Sequence, residues 1–231
     1  MTRVAISQSN YIPWKGYFDM IASVDQFVIL DCVQFTRRDW RNRNKIKTPQ
    51  GLLWLTVPVH SSGLFDQVIK ETKIIGTSWA VQHWNSMAMN YRRAPFFSEL
   101  AEVIEPIYKK NHIYLSELNR ELMGAILAYL EIKTIIRDSS EFELPGDRND
   151  RLVEICKSLG ASEYISGPAA KVYLDENKFE QSGISVRYMD YSGYSPYSQL
   201  WGDFFHEVSV VDLLFNHGKR SSQYMKFSKN D

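Results

Sequence analysis

The feature that most limits how this chain can fold is its first stretch. Val4 to Ser7 is a short β-prone run, Asn10, Pro13 and Gly16 punctuate a loop, and "YFDMIASVD" places apolar residues at helical spacing. "QFVILDCVQF" then supplies an apolar, β-branched run of the kind that is buried on both faces of a parallel sheet. Strand, loop, helix and strand in this order form a βαβ unit, whose ligand site belongs at the carboxyl ends of its two strands.

The rest of the chain continues the alternation. "LLWLTVPV" predicts a strand, and "SSGLFDQVIKETKII" predicts a loop leading into a strand or short helix. Residues 77 to about 130 are helical: Ser78 can cap "WAVQHWNSMAMNYRR", Pro95 breaks it, and "SELAEVIEPIYKK" and "YLSELNRELMGAILAYLE" follow with apolar residues on one side. "KTIIRDSS" is a strand, and "DRLVEICKSLGAS", "EYISG" and "VYLDENKFEQSGISVRYMDY" predict helix, strand, helix and strand. A last short helix in "VSVVDLLFNHGKRSSQYMK" is closed by Gly218, with His217 and Lys219 at its negative end. The expected architecture is α/β: a Rossmann-like parallel sheet with a helical middle segment, all of 1–231 in a single domain.

"DCVQFTRRDWRNRNKIKT" sets a chemical question, because Arg37, Arg38, Arg41, Arg43, Lys45 and Lys47 crowd directly after a strand end. Lys plus Arg and Asp plus Glu both number 27, so the whole molecule offers no field for wrapping nucleic acid and the run must be explained locally. It fits a solvated loop or a charge-protected hairpin edge. It also fits an anion clamp, since Trp40, Asn42 and Asn44 set a stacking ring and amide donors among guanidinium forks that take phosphate bidentately. A nucleic-acid footprint is the competing view, although charges elsewhere are mixed.

Asp31 and Gln34 fall at the expected carboxyl end of a buried strand, where an ionised Asp needs a partner or a ligand. In the first loop, "QSNYIPWKGYF", Gly16 permits close approach of the backbone, and Gln8, Asn10, Tyr11, Trp14 and Tyr17 are candidate substrate contacts. No standard phosphate-loop pattern is present. The loop's spacing is similar to that of nucleotidyl transferases of the pantothenate synthetase type, whose H-x-G-H element would occupy Trp14, Lys15, Gly16 and Tyr17; both histidines are absent. Of five histidines none forms a metal pair, and His83, beside Trp84 and near Tyr91 and Arg92, is the catalytic candidate among them. Cys32 reads as inert packing inside an apolar run, and it forms no metal or disulfide framework with Cys156. Ser166 and Gly167, between a strand and a helix, could offer backbone donors to a phosphate. Tyr188, Tyr191, Tyr194, Tyr197 and Trp201 form an aromatic cluster suited to a sugar or base, or to loop packing. The N-terminus lacks a signal-peptide apolar region and no stretch approaches a membrane span, so a cytoplasmic location without membrane insertion is expected.

"VAISQSNYIPWKGYFDMIASVDQFVILDCVQFTRRDWRNRNKIKTPQGLLWLTVPV", with "YISGPAAKVYLD", "GISVRYMDY" and "PYSQLWGDFFHEVSVVDLLFNHG", resembles the WbqC-like family of bacteria. The resemblance implies a setting in O-antigen and other surface-polysaccharide (lipopolysaccharide) biosynthesis. That setting suggests a transferase adding a glycyl or related acyl group to a nucleotide-linked amino sugar. On that implication the diphosphate goes to Arg37, Arg38, Arg43 and Lys45, and Asp31 serves as base or orients the amine. Gln8, Asn10 and Gln34 position the acyl group, and Tyr11 closes the pocket. ATP, an aminoacyl-tRNA or an acyl carrier remain open as the source of activation. A non-catalytic nucleotide-sugar binding or assembly protein and a nucleotidyl transferase using ATP are the alternatives.

Overall fold

A computed structural model describes residues 1–227. In chain order the elements are β1 (Arg3–Ser7), α1 (Lys15–Ala22), β2 (Gln26–Ile29), β3 (Arg43–Thr48), β4 (Gly51–Thr56), α2 (Ser78–Tyr91), α3 (Phe97–Tyr108) and α4 (Leu115–Tyr129). β5 (Ile135–Asp138), α5 (Arg148–Ser158), β6 (Glu163–Ser166), α6 (Glu176–Glu180), β7 (Ser185–Tyr188) and α7 (Val210–His217) follow. One sheet has the order β5-β2-β1-β6-β7 and every neighbouring pair is parallel. The apolar run of the first strands is explained by burial on both sides. Ala5, Phe27, Ile29 and Ile165 enter one core with α1, the three middle helices and α7. Val4, Ile6, Val28 and Tyr164 enter a second core with Leu152, Ile155 and Cys156 of α5 and Phe179 of α6. Helices therefore cover both faces, as a Rossmann-like α/β fold requires.

From β1 the chain passes through α1 to β2 on one side, while β6 pairs on the other. The strand order thus reverses between β1 and β6, and side chains beyond their carboxyl ends are left facing a crevice.

One segment departs from the sequence reading, and a second decides between its alternatives in favour of a hairpin. The strand in "QFVILDCVQF" stops at Ile29. Residues beyond it pair instead with the 67–70 segment, through Lys70 N–H to the Asp31 carbonyl (2.9 Å), Ile69 N–H to Val33 (3.0 Å) and Phe35 N–H to Gln67 (2.9 Å). The second half of the basic run is a strand, β3, paired antiparallel with β4 in a separate hairpin. Its inward positions are Asn44, Ile46 and Thr48, and a polar first member hides the period of two. Asn44 is nevertheless buried, and its amide donates to the Ile12 (2.8 Å) and Tyr11 (3.3 Å) carbonyls.

The helical middle segment runs as expected, with its first break around Pro95. Gly218 closes α7 at φ 56°, and a Cβ there would lie 2.4 Å from the Phe96 ring, so both backbone and packing call for glycine.

Candidate functional site

A cleft of about 600 Å³ lies at the switch point between β1 and β6. Ser7 and Gln8 enter it from the end of β1, Cys32, Gln34 and Thr36 from the segment after β2, and Ser166 and Gly167 from the end of β6. Trp14, Tyr17, Tyr173 and Tyr191 supply aromatic wall, with Trp14 set edge-on to Tyr191 at 4.9 Å between ring centroids. Among the described residues the charged lining side chains are two arginines, Arg148 and Arg151, with no Asp, Glu, His or Lys.

Both arginines stand in the first turn of α5, at the positive end of the helix dipole. Cations there are unfavourable by a few tenths to about 1 kcal/mol, although the N-cap Asp147 and Asp150 place negative charge in the same turn, so the pair is a candidate anion contact because of its place in the cleft lining. The Arg148 guanidinium lies 3.9 Å from the Tyr173 ring centre, and Arg151 donates to the Gly146 carbonyl at 2.7 Å. The neighbouring carboxylates Asp147 and Asp150 are held by Lys178 at 3.3 and 2.6 Å. Sequence reasoning missed Arg148 and Arg151. The available signal was their spacing of three residues at a helix start following a strand, which sets them on one face.

Gln8, Trp14, Tyr17, Gln34, Ser166 and Gly167 are the sequence candidates that the fold brings together here. Tyr17 donates to the Gln8 carbonyl at 3.0 Å, fixing the turn after β1, and Gln34 donates to the Phe65 carbonyl at 2.6 Å. The freedom of Gly16 goes to Trp14 rather than to an anion, because a Cβ at position 16 would sit 2.4 Å from the indole folded back on it. Cys32, read as inert packing, is partly exposed and lines the cleft.

Other candidates are placed elsewhere. Asp31 is buried behind the cleft wall, where it accepts the Ser9 N–H at 2.8 Å and pins the turn after β1. Burial raises its pKa, opposed by the Ser9 hydrogen bonds and by Arg120 and Arg41. It is not among the cleft-lining residues, so the contact shown for it is that of a turn anchor, while its other oxygen, Oδ2, is buried without a hydrogen-bond partner among the described residues. Asn10 accepts from Arg41. Tyr11 faces the core instead of closing a pocket: its hydroxyl meets His83 Nδ1 at 2.8 Å and the Tyr108 hydroxyl at 2.5 Å. His83 is buried in that same network, and desolvation lowers its pKa to about 4, so it is a neutral core histidine remote from the cleft lining.

The basic run forms a groove of its own, about 350 Å³, lined by Arg37, Arg38, Arg43, Phe35 and Asn42 with residues 56–59, Ser61 and Ile75. Arg43 lies 3.6 Å over the Trp54 ring, and Trp40 packs beside Trp54 at 5.6 Å. Lys45 pairs with Glu207 at 3.3 Å and is not among the groove-lining residues. The expected clamp is thus separate from the crevice at the strand ends.

The tyrosine-rich 189–209 segment mainly covers buried charge. Asp212 accepts from Tyr91 (2.7 Å), Tyr197 (2.9 Å) and Gln199 (2.9 Å), while Lys47 donates to Gln199 at 2.8 Å and to the Asp203 carbonyl. Asp19 accepts from Tyr194 (2.5 Å) and from the backbone of Lys226 (2.8 Å) and Phe227 (3.1 Å). Burial pushes both carboxyls up and the Lys47 ammonium down. Lys15, in the slot between the two missing histidines, lies 4.4 Å from the Tyr194 ring centre. Of this segment, Tyr191 reaches the cleft. Among the described residues no cluster of three or more His, Cys, Asp or Glu is placed to hold a metal ion, and no helix is long and apolar enough to cross a membrane.

A profile of the WbqC-like protein family matches residues 8–224. The uncharacterized protein Rv1507c of Mycobacterium tuberculosis is 50% identical over 230 residues, covering 99% of this chain and 100% of the relative. No solved structure matches the chain significantly.

Proposed function

The chain belongs to the WbqC-like protein family, and from that premise we propose that it transfers a glycyl or related acyl group to the amine of a nucleotide-linked amino sugar in bacterial surface-polysaccharide biosynthesis. The observation that carries this reading is the pair Arg148 and Arg151 at the mouth of a switch-point cleft otherwise lined by neutral groups. Two guanidinium forks match a diphosphate, and the Trp14, Tyr173 and Tyr191 rings give a base or sugar ring a surface to lie on. The volume suits a ligand of nucleotide-sugar size. Gln8, Gln34 and Ser166 are the polar groups available to orient the sugar amine and the acyl carbonyl.

Amide formation needs a neutral amine aimed at an activated carbonyl carbon. The amine's lone pair forms the C–N bond, the bond to the leaving group breaks, and the amine's proton leaves with the departing group or to solvent. With neither carboxylate nor imidazole lining the cleft, the protein's contribution is orientation and donors for the oxyanion. The same observation favours a second reading, a protein that binds the nucleotide sugar without transforming it.

Incubating the pure protein with 4-amino and 3-amino sugar nucleotides, amino acids and ATP, with and without charged tRNA, separates the two by mass spectrometry. A mass gain of one aminoacyl residue on a sugar nucleotide supports transfer. Tight binding without a gain from any donor selects the binding protein.

A further inference from the structure

The arginine groove takes no part in the function proposed for the cleft. Among the described residues Arg37, Arg38 and Arg43 make no ion pair, although Arg37 lies 5.5 Å from the Phe65 ring centre. No Asp or Glu lines the groove to neutralise them. Arg43 Nε is buried without a hydrogen-bond partner, and Arg38 holds a left-handed backbone at φ 57°. Three arginines lining one groove, an orphaned guanidinium nitrogen and an arginine in the left-handed region together suit a site completed by an anion.

Trp40 and Trp54, 44% and 38% exposed, stand as neighbouring rings beside the groove. The Trp54 ring already carries Arg43 at 3.6 Å and Lys45 at 5.1 Å, so bases would use the part of each ring that stays exposed, and a short single strand, unlike a mononucleotide, can reach both rings and bring successive phosphates to the arginines. The chain's balanced charge restricts such contact to the end of a strand, since a long duplex would need basic residues over a wide surface.

The groove shares a wall with the cleft. Gln34 and Thr36 line the cleft, and the alternating Phe35 and Arg37, with Arg38, line the groove. A strand end seated on the arginines is therefore one wall away from a ligand in the cleft.

We propose that the groove and the Trp40–Trp54 platform bind the single-stranded 3′ end of an RNA whose terminal ester supplies the acyl group, a donor assignment that rests on the function proposed for the cleft. The sugar amine attacks the ester carbonyl carbon, a C–N bond forms, and the C–O bond to the ribose breaks. The ribose oxygen leaves as a hydroxyl with the proton the amine gives up, so no oxidant or further reactant is needed.

Fluorescence anisotropy of the full chain with a labelled short single-stranded RNA tests this. Binding is expected to weaken with salt at a log–log slope of about −2, as three phosphate contacts require. Replacing Arg37→Gln with Arg38→Gln is expected to weaken binding at least about tenfold, and Trp54→Ala about tenfold or more. Arg148→Gln with Arg151→Gln should leave RNA affinity unchanged. Absence of RNA binding, affinity indifferent to the groove variants, or preference for ATP over RNA would overturn the site. RNA binding without acyl transfer from the aminoacylated oligonucleotide to an amino-sugar nucleotide would overturn the donor assignment. The cleft reading is judged separately, by nucleotide-sugar affinity.

Discussion

His83 shows how burial decides what a side chain does. An unfolded His83 takes up a proton near pH 6.5 and the folded one near 4. Between those values the unfolded chain binds more protons, so this residue's contribution to stability is complete above 6.5 and is lost as pH falls, reaching about 3 kcal/mol below 4. Urea unfolding across this range, compared between the parent and His83→Gln, should show a steeper acid loss in the parent; parallel curves would refute the assignment. Gly16→Ala should cost about 1 to 3 kcal/mol or move the Trp14 indole, because the new methyl overlaps that ring. Thermal unfolding and indole fluorescence would report either effect. The loop candidates in "QSNYIPWKGYF" were legible as a set, but Tyr11 and Trp14 cannot be assigned to core or cleft from the sequence. That sorting depends on partners distant in the chain, His83 and Tyr108 for Tyr11 and Tyr191 for Trp14.

At the level of elements, the central strands β1 and β2 were readable because burial on both faces demands continuous apolar residues. β3 was legible only as one alternative, a charge-protected hairpin edge, since Asn44 and Lys47 are buried through hydrogen bonds and send a polar signal. The pair Arg148 and Arg151 escaped notice for a related reason: two arginines in a charged helix start resemble solvated surface until the fold sets them at the crevice. The aromatic 189–209 segment was legible as a cluster but not as a cover, because its anchors Asp212 and Asp19 lie on α7 and α1. Asp212→Ala should destabilise by about 1 to 3 kcal/mol for each buried donor left unpaired, since it removes the acceptor shared by Tyr91, Tyr197 and Gln199 and leaves Asp203 as the remaining carboxylate supporting Lys47. Equilibrium denaturation measures this directly, and a loss under 1 kcal/mol would mean that the network contributes little.

For the whole molecule, the βαβ reading expected a ligand site at the carboxyl ends of parallel strands, and a cleft opens there. It could not locate the third wall, because β6 joins β1 only after more than half the chain has passed. The result is two separate arginine-lined features on either side of the 34–38 segment, the α5 arginines in the cleft and the β3-side arginines in the groove. The account's central claim is that the first of these holds the nucleotide sugar. Titration calorimetry with a nucleoside diphosphate 4-amino sugar tests it most directly, comparing Arg148→Gln with Arg151→Gln against Arg37→Gln with Arg38→Gln. The account predicts that the α5 pair costs about 1.5 to 3 kcal/mol per lost charged hydrogen bond while the groove pair leaves affinity unchanged. Affinity that survives loss of the α5 arginines and falls with the groove arginines would contradict it.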